Sequence, residues 1–199
     1  MKKIVSILAA ATLLMASCNN DKKAGEVTVK SEDGKTSTTV DVNDAAKTME
    51  SMQKKSEDLQ KLAPYTLDQM KAMIPGELAG AKRTNFNATT AMGTSFAKGD
   101  YKINDSTDIE LNIYDCAGQA GAGIYTMQYY ALMNLQSESD EESTRTVDYK
   151  GGKAIENIRK DGSRATFTWF AADRLLVSLQ GDNTGIDVLR QAASNLSLK

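Results

Sequence analysis

The chemistry open to this chain is bounded first by what it lacks. Its 199 residues include no histidine and two cysteines, Cys18 and Cys116. Without imidazole, Ser-His-Asp and Cys-His catalysis, the usual near-neutral acid–base and His-ligated zinc are excluded. Two thiols are too few for a thiolate metal site. What survives is a carboxylate pair acting on glycosidic bonds, Ser-Lys catalysis, and calcium held by oxygen ligands. Asp105, Asp108 and Glu110 fall in one stretch, and Glu138, Asp140, Glu141 and Glu142 in another. Neither stretch alternates acidic positions around a central glycine as a calcium loop does, so no metal is expected. Ser95-Phe96-Ala97-Lys98 spells Ser-x-x-Lys, but it sits in an expected strand, where residues three apart face opposite ways. No cofactor is implied.

Two groups of residues have the makings of a ligand site. Gly118, Gly121 and Gly123 lie between an expected strand and helix, where small residues let backbone N–H groups approach an anion. Their spacing is G-x-x-G-x-G, which is neither the dinucleotide fingerprint nor a Walker loop, and no lysine follows to reach a phosphate. Close packing at a tight turn accounts for the same residues. Phe167 and Trp169 share one face of an expected strand while Phe170 points the other way. That aromatic surplus lines a pocket between sheet and helix, or else fills the core.

The N-terminal residues set the address. Lys2 and Lys3 precede an apolar run from Ile4 to Ala16, which is too short for the ~20 residues that span a bilayer. It has the form of a secretory signal. Met15-Ala16-Ser17-Cys18 resembles the lipobox of bacterial lipoproteins, with Met15 where the family usually has Leu. Polarity rises at once after it, in Asn19-Asn20-Asp21-Lys22-Lys23. The resemblance implies cleavage after residue 17 and lipidation of Cys18, through a thioether-linked lipid and an amide-linked acyl chain. Several hydrocarbon tails meet the two-signal requirement for stable anchoring. Asn19 resembles the class of second residue that sends diderm lipoproteins to the outer membrane. With Cys18 acylated, Cys116 is the one remaining thiol, and no internal disulfide is available. The chain is mildly acidic, at a net charge of −2, and has no basic stripe, so nucleic acid is not an expected partner.

The expected organisation is a signal peptide at 1–17, a lipidated flexible tether at 18–43, an amphipathic spacer helix at 44–63 and a globular domain at 64–199. Within the tether, Asp33-Gly34 between alternating valines suggests a weak hairpin that sets Val29 opposite Thr38 and Val27 opposite Val40. In the spacer, Met49, Met52, Ser56 and Leu59 recur at helical spacing. Such a helix docks on the domain, holds it off the membrane, or forms a short coiled coil. Thr66-Leu67-Asp68-Gln69 fits a capping box, and Pro75-Gly76 ends the helix it starts.

Beyond it, a loop at 77–84 and a strand near 89–101 are expected, then alternation of Ile109, Leu111 and Ile113 in a second strand. A loop over 116–123 leads to a helix at 124–136. An acidic loop at 137–143 precedes four strands, near 145–149, 153–160, 163–172 and 175–180, and a last helix at 185–195. The fold class is α+β: an antiparallel sheet of about six strands packed by helices, in the order α-β-β-α-β-β-β-β-α. That order and length are similar to the PsbP-like α/β/α sandwich, a resemblance of element order that implies no site residues.

The function expected from these features is that of a membrane-anchored envelope lipoprotein whose domain is non-catalytic and binds an envelope protein or a small ligand. Two rivals stay open. One is a carboxylate-dependent enzyme acting on envelope glycan, and the other a structural or assembly lipoprotein working through the 44–63 helix.

Overall fold

The computed structural model describes residues 26–30, 37–41, 45–132 and 135–198. The signal peptide, Cys18 and Asn19 lie outside the described residues. The chain is mixed α+β, with helices on both faces of one large antiparallel sheet. In order, the elements are β1 (Glu26–Lys30), β2 (Ser37–Asp41), α1 (Ala45–Gln60), α2 (Leu67–Ala72), β3 (Glu77–Leu78), β4 (Ala81–Ala91), β5 (Thr94–Asn104) and β6 (Thr107–Asp115). Then follow α3 (Gly118–Leu132), β7 (Gln136–Glu138), β8 (Glu142–Tyr149), β9 (Gly152–Arg159), β10 (Arg164–Ala171), β11 (Leu175–Asp182) and α4 (Ile186–Asn195). The strands lie side by side as β1-β2-β7-β8-β9-β10-β11-β6-β5-β4-β3.

The sheet is larger than the six strands expected: nine follow residue 66, and the β1–β2 hairpin extends it further. One of the three additional strands comes from a missed turn, and the others are β3 and β7. The single strand expected near 89–101 is two eleven-residue strands folded at Met92-Gly93, both in the left-handed region at φ 53° and 77°. Two positive φ values make a type I′ hairpin turn, which Asn-Gly usually signals and Met-Gly does not. The loop expected at 77–84 holds β3 and the start of β4, and the acidic loop at 137–143 holds β7 and the start of β8. Within the segment expected as tether, β1 pairs with β2 in the register that the valine alternation suggests, Val27 with Val40 and Val29 with Thr38. β2 then pairs with β7, joining the hairpin to the sheet.

Strand alternation sorts side chains into two cores. On one face Tyr101, Ile109, Leu111, Ile113, Phe167, Val177 and Leu179 meet Met70 and Ile74 from α2 and its C-terminal end, and Leu189, Ala192 and Ala193 from α4. Helix α2 starts where its capping box places it. Thr66 Oγ1 accepts the Gln69 N–H, and Gln69 Oε1 accepts the Thr66 N–H. On the other face Met52 and Leu59 of α1 meet Ala122 and Tyr125 of α3 over Leu176 and Cys116. Ser56 and Thr126 share a hydrogen bond of 3.2 Å between the two helices. Helix α1 is therefore docked on the domain, with Met52 and Leu59 of its seam buried in the same molecule and Met49 left exposed.

Helix α3 starts six residues before the expected position, so Gly118, Gly121 and Gly123 belong to its first two turns and not to a loop before it. Glycine is a poor helix former, and here tertiary packing overrides that preference. A Cβ on Gly121 would lie 2.6 Å from the Cys116 carbonyl carbon and 2.8 Å from the Asp115 carbonyl oxygen. Only hydrogen fits between this helix and the strand end it leaves. A Cβ on Gly123 would meet nothing within 4 Å. Gly121→Ala is expected to destabilise the fold by about 1–3 kcal/mol through overpacking. Gly123→Ala should be neutral or stabilising by up to about 1 kcal/mol. Urea unfolding of the two variants measures the contrast.

Candidate functional site

The strand-to-helix junction is built around a buried carboxylate. Asp115 ends β6 with no solvent exposure and accepts four hydrogen bonds. The Tyr65 N–H donates at 2.6 Å, the Ala117 N–H at 3.1 Å, and Arg174 twice, through Nε at 2.9 Å and a terminal nitrogen at 2.7 Å. Arg174 also donates to the Ala63 carbonyl at 2.9 Å and lies 3.7 Å above the centre of the Tyr65 ring. Burial pulls the guanidinium down, and the Asp115 carboxylate more than offsets this, leaving it above its ordinary value. Ser95 Oγ donates to the Tyr65 carbonyl at 2.6 Å, closing the junction from β5. The anion beside the entrance of α3 is thus the chain's own Asp115. Gly118, at φ 76°, packs against Pro64. Gly118 and Gly121 serve close approach here, and Gly123 does not.

Phe167 and Trp169 point into the core, as one strand face, and Phe170 points away toward Tyr125 at 4.8 Å between ring centres. Tyr149 sits edge-on to both, at 5.0 and 5.6 Å. These three rings fill the space in which the sequence allowed a pocket. The Tyr149 hydroxyl is buried without a hydrogen-bond partner among the described residues.

Three of the clustered carboxylates, Asp105, Glu110 and Glu138, end in ion pairs. Asp105 bonds Lys102, and Glu138 bonds Lys160, whose hydrogen bond holds the Glu138 carboxyl below its usual range. Asp161 is drawn down to about 2 by the Ser163 hydroxyl and N–H in the β9–β10 turn. Among the described residues no group of three His, Cys, Asp or Glu is placed to hold a metal ion. Asp100 and Glu110 do converge, on the sheet face away from α2 and α4, with the Lys98 ammonium between them. The Glu110 hydrogen bond raises Lys98 above its ordinary value against the opposing effect of burial, so it stays charged and is no general base. Ser95 points to the other face, which leaves the Ser-x-x-Lys spelling without a geometry.

A second buried carboxylate has no counterpart in the sequence reading. Glu156 on β9 is fully buried, with Arg145 donating at 3.0 Å and Arg190 of α4 at 2.5 Å. Its signal was available, because Ala154, Glu156 and Ile158 alternate on one face and place a carboxylate in a core phase. This triad pins α4 across the sheet.

With the buried charges committed to one another, a concavity open to a ligand is a cleft of about 540 Å³ between the end of α2, the β3–β4 turn and α4. Met73, Pro75, Leu78, Val188 and Leu196 supply its apolar lining, and Gln191, Asn195 and Ser197 its polar groups. Among the described residues Glu77 is the one charged side chain lining it. Its volume falls in the range of ligand pockets, ~300–1,000 Å³. No signal in the sequence marked it, since its walls come from two helices more than a hundred residues apart. Among the described residues no helix is long and apolar enough to cross a membrane. No family model matches the chain, and no curated protein matches it significantly.

Two outcomes follow. Asp115→Asn should cost about 3–5 kcal/mol, because Arg174 is left buried against a neutral partner. Arg174→Met in the same background should add less than it costs alone, as a double-mutant cycle in urea will read. The second concerns alkali. Burial pushes the Cys116 thiol up from 9.0 to about 12 and the Tyr101 phenol, which donates to the Pro75 carbonyl at 2.8 Å, up from 10.0 to about 12. The unfolded chain ionises first, so stability held below about pH 8.5 is lost as pH rises toward 12. Urea midpoints should fall between pH 8 and pH 11, and fall less in Cys116→Ala/Tyr101→Phe. Native Cys116 should resist thiol reagents at neutral pH until denaturant is added.

Proposed function

We propose that this chain is a lipoprotein of the cell envelope, anchored through acyl chains on Cys18 and more consistent with the outer than the inner membrane. Its domain acts without catalysis, holding a ligand or a partner segment in the cleft between α2 and α4. The observation that carries the binding reading is the contrast between committed and open groups. Asp115 and Glu156, the buried carboxylates, are consumed by structural ion pairs, while the cleft offers apolar walls, free amides and one carboxylate. That lining favours an apolar, uncharged or cationic group and disfavours an anion. The lipobox resemblance of Met15-Ala16-Ser17-Cys18 carries the anchoring.

The glycan-hydrolase alternative asks for one carboxyl kept protonated beside one kept ionised. Asp100 and Glu110, the pair that converges, are both engaged by one lysine, Lys98, and are not held in two contrasting environments. The assembly alternative asks α1 for a free apolar seam, and Met52 and Leu59 are buried against this domain.

Intact mass of the native product tests the anchor. A chain starting at Cys18 and carrying diacylglycerol plus an amide-linked acyl group is expected, and Cys18→Ala should move the protein from the membrane to the soluble fraction. An unmodified thiol at Cys18 would refute the anchoring. For the cleft, amide resonances of the Cys18→Ser mature chain are followed during titration with short apolar lysine-containing peptides and with a short-chain phospholipid below its micelle concentration. Shifts confined to 72–80 and 188–197, lost in Val188→Glu, are expected. Shifts centred on 118–123, or none with either probe, would exclude this site.

A further inference from the structure

The sheet ends in an unprotected strand. β3 pairs with β4 only at Ala81 and Lys82, and the Arg83 N–H is taken by the Gly76 carbonyl. After a register irregularity between Arg83 and Asn85, β4 runs in unbroken register with β5 from Asn85 to Ala91. Among the described residues no strand lies on its other side. Seven residues in extended form present an edge of about 24 Å. Proteins normally guard such an edge with charge, proline, a bulge or a cover. Asn85-Phe86-Asn87-Ala88-Thr89-Thr90-Ala91 carries no charge and no proline, and the irregularity lies before it.

We infer that this edge is a self-association surface, on which a second copy of the chain adds its own β4 antiparallel and continues the sheet through a twofold axis at Ala88. The sequence is complementary to itself in that register. Full overlap sets Asn85 opposite the partner's Ala91, Phe86 opposite the partner's Thr90, and Asn87 opposite the partner's Thr89. Ala88 meets its own copy on the axis, where a small side chain permits close approach. Aromatic with β-branched, and amide with hydroxyl, are favourable cross-strand pairs, and the twofold provides each of them twice. No like charges face each other, and Met92, which is 96% exposed at the hairpin tip, falls opposite the partner's Thr84. A neutral edge has no charge with which to select a charged foreign strand. Asp115 lies two strands in from this edge and Glu156 five, neither forms part of it, and the inference stands apart from both the anchor and the cleft.

Ala88→Cys in the Cys18→Ser mature chain tests it, because directly opposed strand residues come within disulfide reach. Cys116 is buried and does not compete. Under mild oxidation a covalent dimer is expected on a non-reducing gel, at least tenfold above that from Ser106→Cys, an exposed residue in the β5–β6 turn. Adding Asn87→Lys and Thr89→Lys should abolish the crosslink, as should Asn87→Glu and Thr89→Glu. Mixing the two charged forms should restore it as a heterodimer. All four changes fall on exposed positions, and unchanged melting temperatures will show that the fold is kept. A crosslink no greater than that of Ser106→Cys, insensitivity to the lysine pair, or failure of the mixture to recover it would overturn the inference.

Discussion

One buried anion organises this molecule. Asp115 gathers hydrogen bonds from the α1–α2 linker, from the start of α3 and from the turn between β10 and β11. The first and last of these lie 50 residues before it and 59 after it. A carboxylate taken out of water survives only when its lone pairs are satisfied and a cation stands beside it. Arg174 meets both needs; the terminal nitrogen it gives to Asp115 also donates to the Ala63 carbonyl, and its flat face lies over Tyr65. The geometry of the junction is therefore over-determined. Helix α3 is drawn close enough to the strand end that only glycine fits at 121, and the pair α1/α3 is held over one face of the sheet.

A second buried carboxylate does the equivalent work farther across the sheet, on the same face. Glu156 joins β9 to β8 through Arg145 and to α4 through Arg190. Ion pairs of this kind add little net stability over well-packed apolar residues, yet they punish any arrangement that separates the partners. They are best understood as registering helices on a sheet whose apolar surface would accept several positions. The cost is that these groups are unavailable for chemistry. Lys98 is held by Glu110 in the same way. A chain without imidazole thus commits its strongest charges to architecture and leaves amides, hydroxyls and apolar surface for recognition.

Much of the local structure was legible because its causes are local. The Thr66/Gln69 capping box, the core phase of Ile109, Leu111 and Ile113, the opposed directions of Phe167 and Phe170, and the register of Val27 on Val40 all follow from short-range spacing. The misses share another cause. The turn at Met92-Gly93 splits an expected strand in two without a recognisable turn pair, and three glycines look like a loop where a helix begins. In both, a weak local preference yields to hydrogen bonding and packing supplied from elsewhere. Phe167 and Trp169 show the limit for sites: alternation placed them on one face, while Tyr149, from another strand, decided that the face is solid.

By itself the sequence determined the class of fold, the phase of most strands, the absence of imidazole chemistry and the lipobox spelling on which the anchoring proposal rests. These are properties of composition and of neighbours within a few residues. Only the tertiary structure decided which carboxylates are buried and by which arginines they are met, that α1 packs on its own domain, where a cleft opens, and which strand edge is left bare. Each of those depends on contacts between segments far apart in the chain, and their geometry exists only once the sheet has brought them together.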